Sequence, residues 1–156
     1  SYLCSVKIED ELNVSFLSEQ HKLTVNIRHT SNVLSNYQNG LMAKYDISMP
    51  QFNILRILRG AKEALSVHTV KDRMIEKSPN TTRLMDKLID KGLIDRIRCE
   101  KDRRIVYVTI TEPGLNVLSE IDAEFKTQSI IPKTLNDQEA KLLNDLLDKL
   151  RAEFAH

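Results

Sequence analysis

At 156 residues the chain has room for one domain, or one domain with helical extensions, and 41% hydrophobic with 29% charged residues makes a buried core the expectation rather than disorder. The net charge of +1 argues neither for nor against nucleic acid, and no apolar run approaches the roughly 18 residues of a membrane span. Cys4 and Cys99 lie too far apart for a disulfide framework or a CxxC site, and His21, His29, His68 and His156 form no HExxH or Cys/His cluster, so no cofactor, metal ligand or disulfide is expected.

Residues 1–17 mix apolar and acidic residues without a clean period and read as an extension of undefined structure; Ser1 to Glu11 contains no signal-type apolar stretch. From Ser18 to Lys44 the positions Leu23, Ile27, Thr30, Leu34, Tyr37 and Leu41 alternate in steps of four and three, which predicts a long helix with one apolar stripe. Ser48, Pro50 and Gln51 carry a helix-start signature, a capping box with proline in the first turn. Phe52, Ile54, Leu55, Leu58 and Ala61 fill the buried side of that helix, and Gly60 lies near its end.

Ser66 opens a short helix with Val67, Val70, Met74 and Ile75 expected inward. Ser78 is expected to cap the next helix, with Pro79 at its first position and Gly92 ending it in the left-handed conformation. Thr81, Leu84, Met85, Leu88 and Ile89 form the apolar face of this helix. Leu93 to Cys99 and Ile105 to Thr111 are β-rich runs joined by Glu100-Lys101-Asp102-Arg103-Arg104, which predicts a hairpin with a charged tip. Thr111 caps a helix from Glu112 to about Thr127, Ile130-Ile131-Pro132 interrupts, and Asn136 with Glu139 starts a last helix bearing Leu142, Leu143, Leu146, Leu147, Leu150 and Phe154.

Charge is distributed unevenly along this order. Residues 1–70 hold seven basic and six acidic side chains, 71–104 eleven and seven, and 105–156 five and nine, giving balances of +1, +4 and −4. A basic centre beside an acidic C-terminal segment suits one surface facing phosphate and another facing protein.

Two short helices followed by a two-stranded hairpin make a mainly α fold with a small β wing, the winged helix-turn-helix plan. In that plan the second short helix enters a major groove and the hairpin tip reaches the backbone or the minor groove. The outward face of the Pro79–Lys91 helix offers Asn80, Thr82, Arg83 and Lys87, types suited to adenine, thymine methyl, guanine and phosphate. Asp86 and Asp90 also face outward, where pairing with Arg83 and Lys87 would make an ordinary solvated face. A tight turn needs no paired arginines. Arg103 and Arg104 suit a narrow minor groove, and Asp102 is placed to hold one guanidinium.

Four motifs in order resemble the MarR family of bacterial regulators across residues 48–114. They are Met49-Pro50-Gln51-Phe52-Asn53-Ile54-Leu55, Thr82-Arg83-Leu84-Met85-Asp86-Lys87-Leu88 with Lys91-Gly92-Leu93-Ile94, the wing Asp102-Arg103-Arg104, and Val108-Thr109-Ile110-Thr111-Glu112-Pro113-Gly114. The resemblance implies a cytoplasmic homodimeric repressor or activator on a pseudopalindromic operator, often released by a small-molecule effector. It divides the chain into an extension (1–17), an N-terminal dimerisation helix (18–47), the winged domain (48–114) and C-terminal dimerisation helices (115–156). By the same carry-over Ser78, Asn80, Thr81, Thr82, Arg83 and Lys87 belong to the DNA-facing helix, Arg104 enters the minor groove beside Arg103, and Asp102 supports Arg104. One departure is Lys71, where the family commonly has alanine; its ammonium must snorkel to solvent.

Three alternatives stand beside this reading. A redox-sensing regulator would act through Cys4 or Cys99, although the start of the long helix, where the family's peroxide sensors carry their thiol, reads Phe16-Leu17-Ser18-Glu19-Gln20. A winged-helix protein-interaction module would keep the apolar pattern without the basic centre. An enzyme would need a nucleophile elbow, a glycine loop or HExxH, none of which the chain contains. Tyr37, Tyr45, His29 and Met42 are candidates for lining an effector pocket, with a spacing that equally fits core packing.

Overall fold

Side-chain caps set where most of the helices begin. In the computed structural model, which describes residues 6–127 and 133–155, Ser18 Oγ accepts from the His21 amide at the start of α2 (Glu19–Ala43). A full Ser48–Gln51 capping box opens α3 (Met49–Ala61), with Pro50 in its first turn. Ser66 caps α4 (Val67–Arg73), and a second box, Asn136 with Glu139, opens α7 (Asp137–Ala152). Each such cap contributes about 1 kcal/mol by pairing an amide that the helix leaves free. The remaining elements are α1 (Ile8–Leu12), β1 (Leu65–Ser66), α5 (Thr81–Asp90), β2 (Ile94–Arg98), β3 (Val106–Ile110) and α6 (Glu112–Thr127). The mainly helical plan with a hairpin wing is therefore as the sequence indicates.

The chain divides into two compact units, Ser1–Leu115 and Asn116–His156. In the first, the three strands form an antiparallel sheet in the order β1-β3-β2. Ile94 pairs with Ile110 and Arg98 with Val106 across the hairpin, and Leu65 pairs with Val108 on the other edge of β3. The core beneath the sheet consists of Ile54, Leu55 and Leu58 from α3, Val70 from α4, Met85 and Leu88 from α5, and Ile94 and Val108, all buried. In the second unit α7 buries no residue of its own.

Four features depart from the sequence reading. Residues 8–12 form α1, tied to α2 by the Glu9–Lys22 and Glu11–His29 pairs. The Lys22 hydrogen bond, with Glu9's own backbone amide and the lysine's charge, holds the Glu9 carboxyl below its ordinary range. Residues 65–66 form a third strand, too short to show as a periodic run. Ile75, expected inward, is 85% exposed because α4 stops at Arg73 and the chain turns out after buried Met74. Finally, α5 begins at Thr81 instead of Pro79, because Ser78 caps a turn: its Oγ accepts from the Asn80 amide at 3.1 Å. The thiol of Cys4, His156 and the Ile130-Ile131-Pro132 interruption lie outside the described residues.

Candidate nucleic-acid interface

Buried contacts place α5. Met85 and Leu88 pack in the core, and Gln51, 4% exposed, reaches across from α3. Its Oε1 accepts from the Ser48 amide at 2.9 Å while its Nε2 donates to the Leu84 carbonyl at 3.4 Å, so one side chain both starts α3 and touches α5. Asn53 Oδ1 accepts from the Ile75 amide at 3.1 Å and pins the turn between α4 and α5. At the far end of α5, Lys91 Nζ lies 2.9 Å from Asp46 Oδ2 at the α2–α3 junction. Gly92 (φ 68°) then reverses the chain, with the Leu93 amide donating to the Leu88 carbonyl at 3.0 Å.

Of the sequence candidates on this helix, Asn80, Thr82, Arg83 and Lys87 are exposed. Asn80 sits at the helix start with no side-chain cap; the Thr81 amide donates to the Ser78 carbonyl at 3.3 Å, and the Thr82 and Arg83 amides that follow are the ones a cap would otherwise serve. Ser78 is half-buried in the preceding turn. Thr81 is a correction: it is 1% exposed, and its Oγ1 donates to the Ser78 carbonyl at 2.8 Å. A threonine that closes the turn with its own hydroxyl cannot also read a groove.

At the wing, the Ile105 amide donates to the Asp102 carbonyl at 3.0 Å and closes the tip. Asp102 Oδ1 accepts from the Arg104 amide at 3.0 Å and from Arg104 Nε at 3.3 Å. The carboxylate thus aims the arginine through one side-chain contact and one backbone contact, not through a two-pronged fork. Arg104 is 92% exposed, and Arg103 is exposed beside it. Such an exposed pair contributes no more than about 1 kcal/mol of stability, so its consequence is direction.

Asp86 pairs differently from the sequence expectation. Its Oδ1 accepts from Arg96 Nη2 on β2, not from Arg83 or Lys87. The Gly92 reversal, legible in the sequence, brings β2 back alongside α5 and Arg96 to Asp86; the sequence reading took only neighbours on the helix itself as partners. Lys71, the departure noted above, is half-exposed on α4.

Of the pocket candidates, Met42 is core at 1% exposed and Tyr37 is 53% exposed. His29 lines a cleft of about 370 Å³ between α1 and α2, with Glu9, Glu11, Lys22 and Asn26. Cys99 is a half-buried free thiol at the end of the wing strand. No group of three or more metal-ligating side chains occurs among the described residues, and no helix there is long and apolar enough to cross a membrane.

Residues 36–121 match the family model described as transcriptional regulator SarA/Rot. The chain is 31% identical over 128 residues to the uncharacterized HTH-type transcriptional regulator YpoP of Bacillus subtilis, covering 80% of this chain and 87% of that protein. It is 29% identical to the HTH-type transcriptional regulator MgrA of Staphylococcus aureus, covering 76% and 79% respectively. Among solved structures, an E. coli MarR mutant complexed with operator DNA superposes with a TM-score of 0.74 at 24% identity, covering 88% of this chain and 99% of that one.

Proposed function

The chain belongs to the MarR-like winged-helix transcriptional regulators of the SarA/Rot type, DNA-binding proteins, and from that premise we propose that it represses transcription as a cytoplasmic homodimer on a pseudopalindromic operator. Asn80, Thr82, Arg83 and Lys87 meet a major groove, and Arg104 enters the adjacent minor groove. The single observation that carries this reading is the wing: a 92% exposed arginine whose guanidinium and backbone amide are both held by Asp102. A soluble loop has no use for a fixed, outward guanidinium, whereas a narrow minor groove concentrates negative potential where one can enter.

The dimer reading rests on apolar surface. Leu23, Leu34 and Tyr37 on α2 are 46%, 39% and 53% exposed, and Leu142, Leu143 and Leu146 on α7 are 60%, 45% and 53% exposed. Stripes of this kind are covered by a second copy. Repression then requires nothing beyond occupancy of the operator. A small molecule that binds one of two dimer geometries better would release it.

The test is binding of Arg104→Ala and Asp102→Ala proteins to duplex DNA across a salt series. Arg104→Ala weakens operator and random duplex alike, because a shape-and-phosphate contact carries little base information. It also lowers the slope of log K against log salt by about one unit. Asp102→Ala gives a smaller loss, since the charge remains without its orienting partner. Folded Arg104→Ala protein with unchanged affinity and salt slope would remove the wing from the interface.

A further inference from the structure

The Asp86–Arg96 pair sits where an acid is out of place. Asp86 is on α5, three residues after Arg83 and beside Lys87, the two cations offered to DNA. Among the described residues neither Arg83 nor Lys87 has an ion-pair partner, although Asp86 stands at helical spacing from Arg83. The carboxylate turns instead to Arg96 on the wing strand, with side chains 49% and 39% exposed.

A clamp is the simple explanation for a bridge between helix and wing, but the surroundings make one redundant. The angle between α5 and β2 is already set by buried Leu88 and Ile94, by the Leu93–Leu88 backbone bond and by the Gly92 reversal. A half-exposed ion pair adds little to contacts of that kind. What the pair does change is charge. With Asp86 present, the guanidinium of Arg96 is occupied at the flank of the helix; without it, a further cation would stand free beside the phosphates.

We propose that Asp86 is a specificity-determining residue that withholds Arg96 from phosphate, so that random DNA is bound less tightly than the basic surface would otherwise allow. Non-specific affinity is almost wholly a count of phosphates neutralised, whereas operator affinity also draws on base contacts. Occupying one cation therefore costs random DNA proportionally more than operator. For a regulator surrounded by a large excess of non-operator DNA, the ratio of the two affinities is the quantity that matters. Asp86 is a repulsive element set among attractive ones, which is how discrimination between partners is commonly sharpened. This proposal rests on the reading that α5 and the wing face duplex DNA.

The experiment measures binding of wild-type, Asp86→Asn, Arg96→Gln and the double variant, against a duplex enriched from a random pool and against a scrambled duplex of equal length, over a salt series. Asp86→Asn should bind scrambled DNA about 3- to 10-fold more tightly at moderate salt, with a slope steeper by about one unit as one more counterion is released. Operator affinity should rise less, so the ratio falls. In the Arg96→Gln background the same change should leave the slope nearly unaltered. Equal loss on both duplexes for Asp86→Asn would make the pair a clamp, and loss on operator alone would make Asp86 a base-reading residue; either overturns the proposal. A full gain surviving in the Arg96→Gln background would overturn the part given to Arg96. Wild-type protein that shows no salt-dependent binding would fail at the first step and overturn the DNA-facing reading itself, before any variant is compared. Melting temperatures within a few degrees of wild type establish that each variant is folded.

Discussion

Arg83 and Lys87 are both exposed cations on one helix, and under the proposed function they would do different work. Arg83 lies in the first turn of α5 and Lys87 a turn further on; in the proposed docking the first would reach base edges and the second the phosphate backbone. Arg83→Ala is expected to change which sequence is preferred, at a cost of about 1–3 kcal/mol confined to one base position. Lys87→Ala is expected to lower affinity on all duplexes together. Competition with single-base operator variants separates the two, and equal losses on every variant for Arg83→Ala would contradict the assignment. At this scale the sequence showed which residue types were offered but not which were free. Thr81 shares its type with Thr82, yet its hydroxyl is spent on the Ser78 carbonyl, a consequence of the turn shifting the helix start by two residues. Asp86 has one cation, Arg83, at helical spacing and takes another from a strand, a choice visible only once Gly92 has folded the chain back.

Elements of several turns with a cap were the most legible. α3 and α7 start where their capping boxes stand, and β2 and β3 fall within the β-rich runs that flank the charged tip. Two residues of β1 and five of α1 carry too little periodicity to show; both exist through what they touch, β3 and α2. The closing motif gains a physical meaning from the structure. Thr111 Oγ1 donates to the Gly92 carbonyl at 2.6 Å and accepts from the Gly114 amide at 3.2 Å, joining the end of α5 to the start of α6. A Cβ on Gly114 would stand 2.2 Å from the Leu93 carbonyl oxygen and 2.8 Å from Ile110 Cγ1. Because the nearer obstacle is backbone, Gly114→Ala should destabilise the protein by about 1–3 kcal/mol or more, read as a lower urea midpoint. A midpoint equal to wild type would mean that the helix start yields easily.

For the whole molecule, the proposed function gives the basic centre to DNA and the exposed apolar stripes to a second copy. The stripe on α2 was legible as periodicity, but its 46% exposed Leu23 and 53% exposed Tyr37 set it apart from core and make it the surface the proposed dimer would cover. Replacing Leu143 and Leu147 by lysine should yield monomers or insoluble protein, because two charges cannot be buried in a self-complementary apolar face. Sedimentation showing a native monomer at micromolar concentration would contradict the dimer. Central to the account is a two-fold protein that reads two half-sites, each with one helix and one wing. Enrichment of bound duplexes from a random pool tests that claim most directly. The account predicts an inverted pair of half-sites whose centres lie about 10 base pairs apart or a multiple of that. Retained duplexes with no inverted symmetry, or no enrichment above the starting pool, would contradict it.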